Sequence, residues 1–274
     1  VNLHGLRVVV TRPLEQSSRL AAAIDAGGGE ACTFPLIEIG PPPDPAVLDA
    51  LIDRLDDFQW AVFSSPTAVD RGIARIRARR ALPAGWSIAA IGEGTQRALA
   101  RHGLAGVLAP TERFDSEALL ALPALADLHG RQVVIFRGQG GRPVLAEGLR
   151  ARGARVEYAE CYTRLAPGAD AAMLLERARS GTLDAMVVTS REAVCNLCAM
   201  LARAQAAPGA LAPAALFVPH PRIAEAARSA GFDPVIVTDG GDTGVLSALA
   251  AFAASGGSGA SAACAASPAP GAAR

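Results

Sequence analysis

Short runs of consecutive apolar residues recur along the chain, at RVVV (7–10), WAVFS (60–64), WSIAAIG (86–92), RQVVIF (131–136), AMVVTS (185–190), AALFV (214–218) and PVIVT (234–238). Runs that are apolar throughout, without alternation, describe strands buried on both faces, as in a parallel sheet covered by helices. Between them lie segments with the three- and four-residue spacing of amphipathic helices. Asp44-Pro45 opens one that aligns Val47, Leu48, Leu51, Ile52 and Leu55, and Val69, Ile73 and Ile76 form another stripe after Pro66. Gly27 to Gly29, Gly103, Gly153 and Gly231 stand where helices should stop. The pattern predicts an α/β protein.

The chain also repeats itself. At an offset of 125 residues VVVTR (8–12) falls on VVIFR (133–137) and Ser65 falls on Ser190, and with two residues of drift IGEGTQRAL (91–99) meets VPHPRIAEA (218–226). Asp115-Ser116 likewise meets Asp242-Thr243, each ahead of an apolar helix. A unit used twice in 274 residues predicts two similar parallel-sheet domains facing each other, with a cleft between them as the expected site. TFPLIEIGPPP (33–43) and VEYAECYTRLAP (156–167) occupy corresponding places, are extended and end in proline. Paired as a two-stranded ladder they would join the domains, each then assembled from parts of both copies. Residues 255–274, SGGSGASAACAASPAPGAAR, lack periodicity and are expected to be a disordered tail.

Composition narrows the chemistry. Formal net charge is zero, so no bulk attraction for nucleic acid or anionic lipid is expected, and any bound anion must be held locally. Every one of the 26 basic residues is arginine. The lack of lysine excludes Schiff-base chemistry, a lysine-bound pyridoxal cofactor and the Walker A lysine. Cys32, Cys161, Cys195, Cys198 and Cys264 are odd in number and set in apolar surroundings, as reduced thiols of a cytoplasmic protein would be. Cys195 and Cys198 form a C-x-x-C inside a helical pattern without a second ligand pair, so both are expected to be small core residues. VNLHGLRVVV has no signal-peptide pattern, and no apolar run reaches the roughly 18 residues needed to span a bilayer. No His, Cys, Asp or Glu cluster has metal-ligand spacing.

In a parallel sheet the binding edge is formed by the carboxyl ends of the strands and the helix starts that follow. Ser65, ahead of Pro66, and Ser190 in the second copy are suited to cap such helices, whose free amides and partial positive charge also accept carboxylate or phosphate. Arg12 and Arg137 end the first strand of each copy, and the turn RGQGGR adds Arg142, so arginine can grip a carboxylate bidentately. As a dinucleotide fingerprint the turn fails, because Pro143 follows Gly138 and Gly140 where a third glycine is required. No G-x-S-x-G appears; His102 and His129 read as helix-end caps, and His220 precedes Arg222 in a loop. Tyr162, one of two tyrosines, lies on the suspected ribbon. A phenol there can give a proton to a leaving hydroxyl or simply pack at a junction.

In order, VVVTRP, VFSSPTAV, IGEGT, DSEALL, RGQGGR, VEYAECYTR, VVTSREAV and HPRIAEAA resemble the uroporphyrinogen-III synthase family, over about residues 6–252. The resemblance implies a cytosolic lyase that takes hydroxymethylbilane, releases water and closes the macrocycle with inversion of the last pyrrole ring, without metal or cofactor. It implies one α/β domain from 1–35 with 166–254 and another from 40–160, joined by a two-stranded ladder. It also implies that the polyacidic linear substrate is bound around Arg12, Ser65, Thr95, Arg137, Gly138, Gly140, Arg142, Ser190 and Arg222, and that Tyr162 stands near the departing hydroxyl. A small-molecule substrate, no nucleic acid, no membrane and a monomer are expected. The alternative reading is a bilobed module that closes on a small anionic ligand without catalysis.

Overall fold

The computed structural model describes residues 1–111 and 113–257. The expected tail therefore lies, past Gly257, outside the described residues, as does Cys264. The strands are β1 (Arg7–Val10), β2 (Glu30–Thr33), β3 (Glu38–Gly40), β4 (Trp60–Phe63), β5 (Ser87–Ala90), β6 (Gln132–Gly138), β7 (Arg155–Leu165), β8 (Ala185–Val187), β9 (Ala215–Val218) and β10 (Val235–Val237). The helices are α1 (Leu14–Ala26), α2 (Pro45–Asp53), α3 (Pro66–Arg77), α4 (Glu93–Arg101), α5 (Ser116–Leu120), α6 (Val144–Arg150), α7 (Ala172–Arg179), α8 (Arg191–Arg203), α9 (Pro221–Ser229) and α10 (Gly241–Ala254). Among the described residues no helix is long and apolar enough to cross a membrane.

The chain forms two compact units. One runs from Val1 to Glu38 and resumes at Leu165; the other is Ile39–Arg164. The first holds a sheet in the order β10-β9-β8-β1-β2 and the second a sheet in the order β3-β7-β6-β4-β5. The pairs β1/β2, β1/β8, β8/β9 and β9/β10 are parallel, as are β4/β5, β4/β6 and β6/β7. The fold is the α/β class that the apolar runs predict. Segment 33–43 contributes β3 and segment 156–167 all of β7 after Arg155, and the two are neighbours in the second sheet, with Thr163 N–H donating to Pro41 O at 3.0 Å. The polar-edged strand β2 is not among the predicted runs: EACT is half-exposed and lacks the apolar signature.

Burial on both faces follows from the strand sequences. In the second unit Ala61, Phe63, Ala90, Val134 and Phe136 point to one side, where α2, α3 and α4 supply Leu48, Leu51, Ile52, Val69, Ile73, Ile76 and Leu99. Val62, Ala89, Val133 and Ile135 point to the other, against Leu119, Leu120, Leu145 and Leu149 of α5 and α6. Phe63 and Phe136, on adjacent strands, stack with centroids 4.6 Å apart. In the first unit Val8, Val10, Ala185, Val187, Ala215 and Phe217 pack with Leu20 and Ile24 of α1 and Val245 and Leu249 of α10. Val47 departs from its predicted stripe and is exposed in the first turn of α2, whereas Leu48, Leu51 and Ile52 are buried and Leu55 is buried in the 3-10 turn that follows. Gly103 and Gly231 follow α4 and α9 at positive φ, +79° and +95°, as the helix-stop reading requires.

Candidate functional site

In the second unit the chain moves from β4 outward to β5 on one side and from β6 outward to β7 on the other. The boundary between β4 and β6 is thus the point where the winding reverses, and the loops leaving their carboxyl ends splay to open a crevice. Those loops are Ser64-Ser65 and Gly138–Arg142. Between them lies a cavity of about 220 Å³, lined among others by Ser64, Ser65, Arg137, Gly138, Tyr158 and Tyr162.

Each wall has a local cause. Pro66 occupies the first helical position of α3, and Ser65, in extended backbone, accepts the Ala68 N–H on its hydroxyl at 3.1 Å. That fixes Ser65 Oγ at the cavity edge, where it stands 3.1 Å from the Tyr162 hydroxyl. On the opposite strand, β6 and β7 keep register from Gln132↔Arg155 to Arg137↔Glu160 and then skip, so that Gly138 faces Tyr162. The bulge sets Tyr162 beside Cys161 in the cluster under α3 instead of returning it to the opposite face. Gly138 leaves room for the ring: a β-carbon there would stand 2.6 Å from Tyr162 Cε2 and Cζ. Tyr162 is only 5% exposed.

Cation and carboxylate groups ring the opening. Arg137 folds back, Nε donating to Gly138 O at 3.1 Å, with its guanidinium carbon 4.6 Å over the Tyr158 ring. Arg142 pairs with Glu117, which holds that carboxyl below its usual value. Asp115 caps α5, and its carboxyl is lowered by the Ala118 amide and then by Arg113. Glu160 accepts the Gly140 N–H at 3.3 Å and steadies the glycine turn. Behind Tyr162, burial pushes the Cys161 thiol up to about 12, so it is inert at neutral pH.

Of the residues expected to bind, Ser65, Arg137, Gly138, Gly140, Arg142 and Tyr162 meet at this cavity. Thr95 does not line it. It sits in the first turn of α4, 3% exposed, while Gly92 takes the cap position. Arg12, Ser190 and Arg222 belong to the first unit. There the winding reverses between β1 and β8, and Arg12 and Ser190 follow those two strands. Ser190 caps α8 through the Ala193 N–H at 3.0 Å, and Arg12 is paired with Asp242 at 2.5 Å. Arg222 is exposed in the first turn of α9, where His220 Nδ1 accepts its N–H at 3.1 Å. His220 is therefore an N-cap, and His102 is the C-cap of α4 with Nε2 2.8 Å from Asp70.

Three expectations need correction or addition. His129 does not end a helix; it lies in the turn entering β6, its N–H donating to Asp127. Cys195 is exposed and Cys198 half-buried, so neither is a core residue: α8 turns Val194, Leu197 and Leu201 inward and leaves the thiols at its flank. Tyr158 and Arg164 also line the cavity and were not among the expected site residues, while Ser64, Ser116 and Gly141 line it beside expected positions. Strand alternation alone would not bring Tyr158 and Tyr162 to one cavity: they pack against opposite faces of the sheet, and the bulge after Glu160 changes the alternation between them. Among the described residues no group of three or more His, Cys, Asp or Glu side chains is placed to hold a metal ion.

Comparison with known proteins gives the family and the fold. The family model described as uroporphyrinogen-III synthase HemD matches residues 18–244. A uroporphyrinogen-III synthase of Salmonella typhimurium is 34% identical over 249 residues, covering 88% of this chain and 98% of the relative. That of Escherichia coli is 32% identical over 250 residues, with coverage of 88% and 98%. In fold the chain is similar to a mutant uroporphyrinogen III synthase of Thermus thermophilus, at 20% identity and TM-score 0.58, covering 91% of this chain and 99% of that one. It is likewise similar to the uroporphyrinogen-III synthetase of Helicobacter pylori, at 14% identity and TM-score 0.57, with coverage of 91% and 99%. The chain belongs to the uroporphyrinogen-III synthase family.

Proposed function

We propose that this chain converts hydroxymethylbilane to uroporphyrinogen III, with Tyr162 at the departing hydroxyl. The observation that carries the reading is the Ser65–Tyr162 contact at the edge of a cavity where β4 and β6 diverge, within a chain of this family. The cavity's volume is below the roughly 300–1,000 Å³ of a pocket that swallows a drug-sized ligand, so it suits one end of a long substrate. The terminal pyrrole expels its hydroxyl with its own ring electrons, and Tyr162 supplies the proton that lets it leave as water. The resulting azafulvene cation is attacked by ring D through its substituted carbon, giving a spiro intermediate. The bond from that carbon to the ring C methylene breaks, the methylene recloses on the free α-carbon of ring D, and the proton on that α-carbon is lost, offsetting the one that Tyr162 supplied. A flexible chain must be bent for this, and holding the two ends together is the larger part of the catalysis.

In this reading the substrate carboxylates are bound by Arg137, Arg142, Arg12 and Arg222, by the amides of the Gly138–Gly140 turn and by the helix starts at Ser65 and Ser190, with Thr95 assigned to the same group. Arg142 and Arg12 would exchange Glu117 and Asp242 for substrate carboxylate. The chain is taken as a cytoplasmic monomer without nucleic-acid partners, and residues 1–35 with 166–254 and 40–160 as its folding domains. The test is to supply purified protein with hydroxymethylbilane and separate the isomers: type III is expected, and type I alone overturns the proposal. Tight binding of a simple anion without bilane turnover favours the non-catalytic module.

A further inference from the structure

We propose that Ser65 is a positioning residue for the reaction: it turns the Tyr162 phenol so that the phenolic proton points into the cavity. The inference rests on the reading of Tyr162 as the group beside the departing hydroxyl, and assigns Ser65 to the phenol instead of to the substrate.

The 3.1 Å separation admits either hydroxyl as donor, and the bonding at Ser65 Oγ is what selects the direction. Ser65 Oγ has one proton and two lone pairs, and one lone pair takes the Ala68 N–H at 3.1 Å. An oxygen that already accepts from an amide is polarised and becomes a better donor, whereas a second acceptance would oppose the first. Ser65 therefore gives its proton to Tyr162 Oη, 3.1 Å away. With that lone pair engaged, the phenolic proton is directed elsewhere, and the open side of Tyr162 is the cavity it lines. The relay runs from the Ala68 amide through the Ser65 hydroxyl to the Tyr162 hydroxyl. It starts at the positive end of the 12-residue helix α3, which supports the negative charge that grows on the phenol oxygen during transfer. The ring lies close to the backbone at Gly138, where a β-carbon would stand 2.6 Å from it. A plain helix cap needs the bond to Ala68 alone; the Tyr162 bond is what a cap does not require.

Ser65→Gly separates the two roles, because glycine caps a helix almost as well as serine while removing the hydroxyl. We expect Ser65→Gly to keep a wild-type thermal transition and a KM within about twofold, and to lose about tenfold in kcat, a fraction of the range for general acid catalysis. Ser65→Thr restores most of the loss. In a Tyr162→Phe background Ser65→Gly adds no further loss, because the serine acts through the phenol. A readout independent of turnover is the tyrosine Raman doublet of ligand-free protein carrying Tyr158→Phe, so that Tyr162 is the tyrosine observed. It should show a phenol oxygen that accepts a hydrogen bond, and lose that signature on Ser65→Gly.

If wild type turns over but Ser65→Gly matches it, if the two losses multiply in the double variant, or if the doublet is unchanged, the role of Ser65 is overturned and the proposed activity stands. A wild type that yields no type III isomer overturns the activity and the role together.

Discussion

Tyr162 lies against the bare backbone of β6: a β-carbon on Gly138 would stand 2.6 Å from two of its ring carbons and 3.0 Å from its hydroxyl. Glycine at 138 is thus a requirement of the tyrosine across the bulge, independent of any contact with substrate. Gly138→Ala should displace the ring, break the Ser65 contact and lower kcat at least as far as removing the hydroxyl does. A full-activity alanine variant would show that the ring position is unimportant.

Tyr162→Phe should reduce kcat about 100-fold, at the low end of what a positioned general acid contributes, with KM little changed. Ser65→Ala should cost less, because the phenol keeps its proton and loses only the hydrogen bond that orients it. Steady-state kinetics on both variants, with isomer analysis, give the order; equal or reversed losses count against Tyr162.

The first unit depends on Arg7 and Asp184, which join β1 to the start of β8. Asp184 is buried and accepts from Arg7 Nε at 2.8 Å, Nη2 at 2.7 Å and the Arg7 N–H at 2.8 Å. Arg7 is held above its usual value, chiefly by the hydrogen bond to Asp184. Asp184→Ala removes hydrogen bonds to a charged, part-exposed partner, so it should cost about 1.5–3 kcal/mol in urea unfolding. A loss under about 1 kcal/mol would mean that the site fills with water.

Acid should weaken the second unit through Asp115, Glu117 and Asp49, whose carboxyls are lowered by the Ala118 amide, Arg142 and Arg75 respectively. A carboxyl with a depressed folded pKa contributes stability above its unfolded value, near 3.9–4.3, and loses it as pH falls through the folded value. The urea midpoint should be level from neutral pH down to about 5 and fall below about 4. Because these groups lie at the surface, Glu117 exposed and Asp49 and Asp115 part-exposed, high salt should flatten the fall. Asp115→Asn keeps the helix cap and should reduce the pH dependence.

Thiol reagents should discriminate between the cysteines. Cys161, buried and pushed up to about 12, should react only after unfolding, while exposed Cys195 reacts in the native protein. Peptide mapping after brief alkylation checks this; early labelling of Cys161 would reveal local opening at the bulge beneath Tyr162.

The chain's own periodicity determined the α/β class, the parallel strands and most helix ends, because those depend on spacing, proline and glycine within a few residues of each other. The 125-residue repeat likewise matched the loops after β4 and β8, and the capping roles of Ser65 and Ser190 were readable from one turn of chain. Strand β2 escaped because its residues are half-exposed, and the thiols of α8 were misplaced because an apolar neighbourhood in sequence does not fix which flank of a helix faces inward. What only the tertiary structure decided is the junction at Tyr162. The skipped pairing between β6 and β7 and the approach of Gly138 to the ring are contacts between strands, and the bond to Ser65 spans 97 residues. Local pattern carries backbone preference and the buried face; the position of a hydroxyl to within an ångström is set by how separate strands meet.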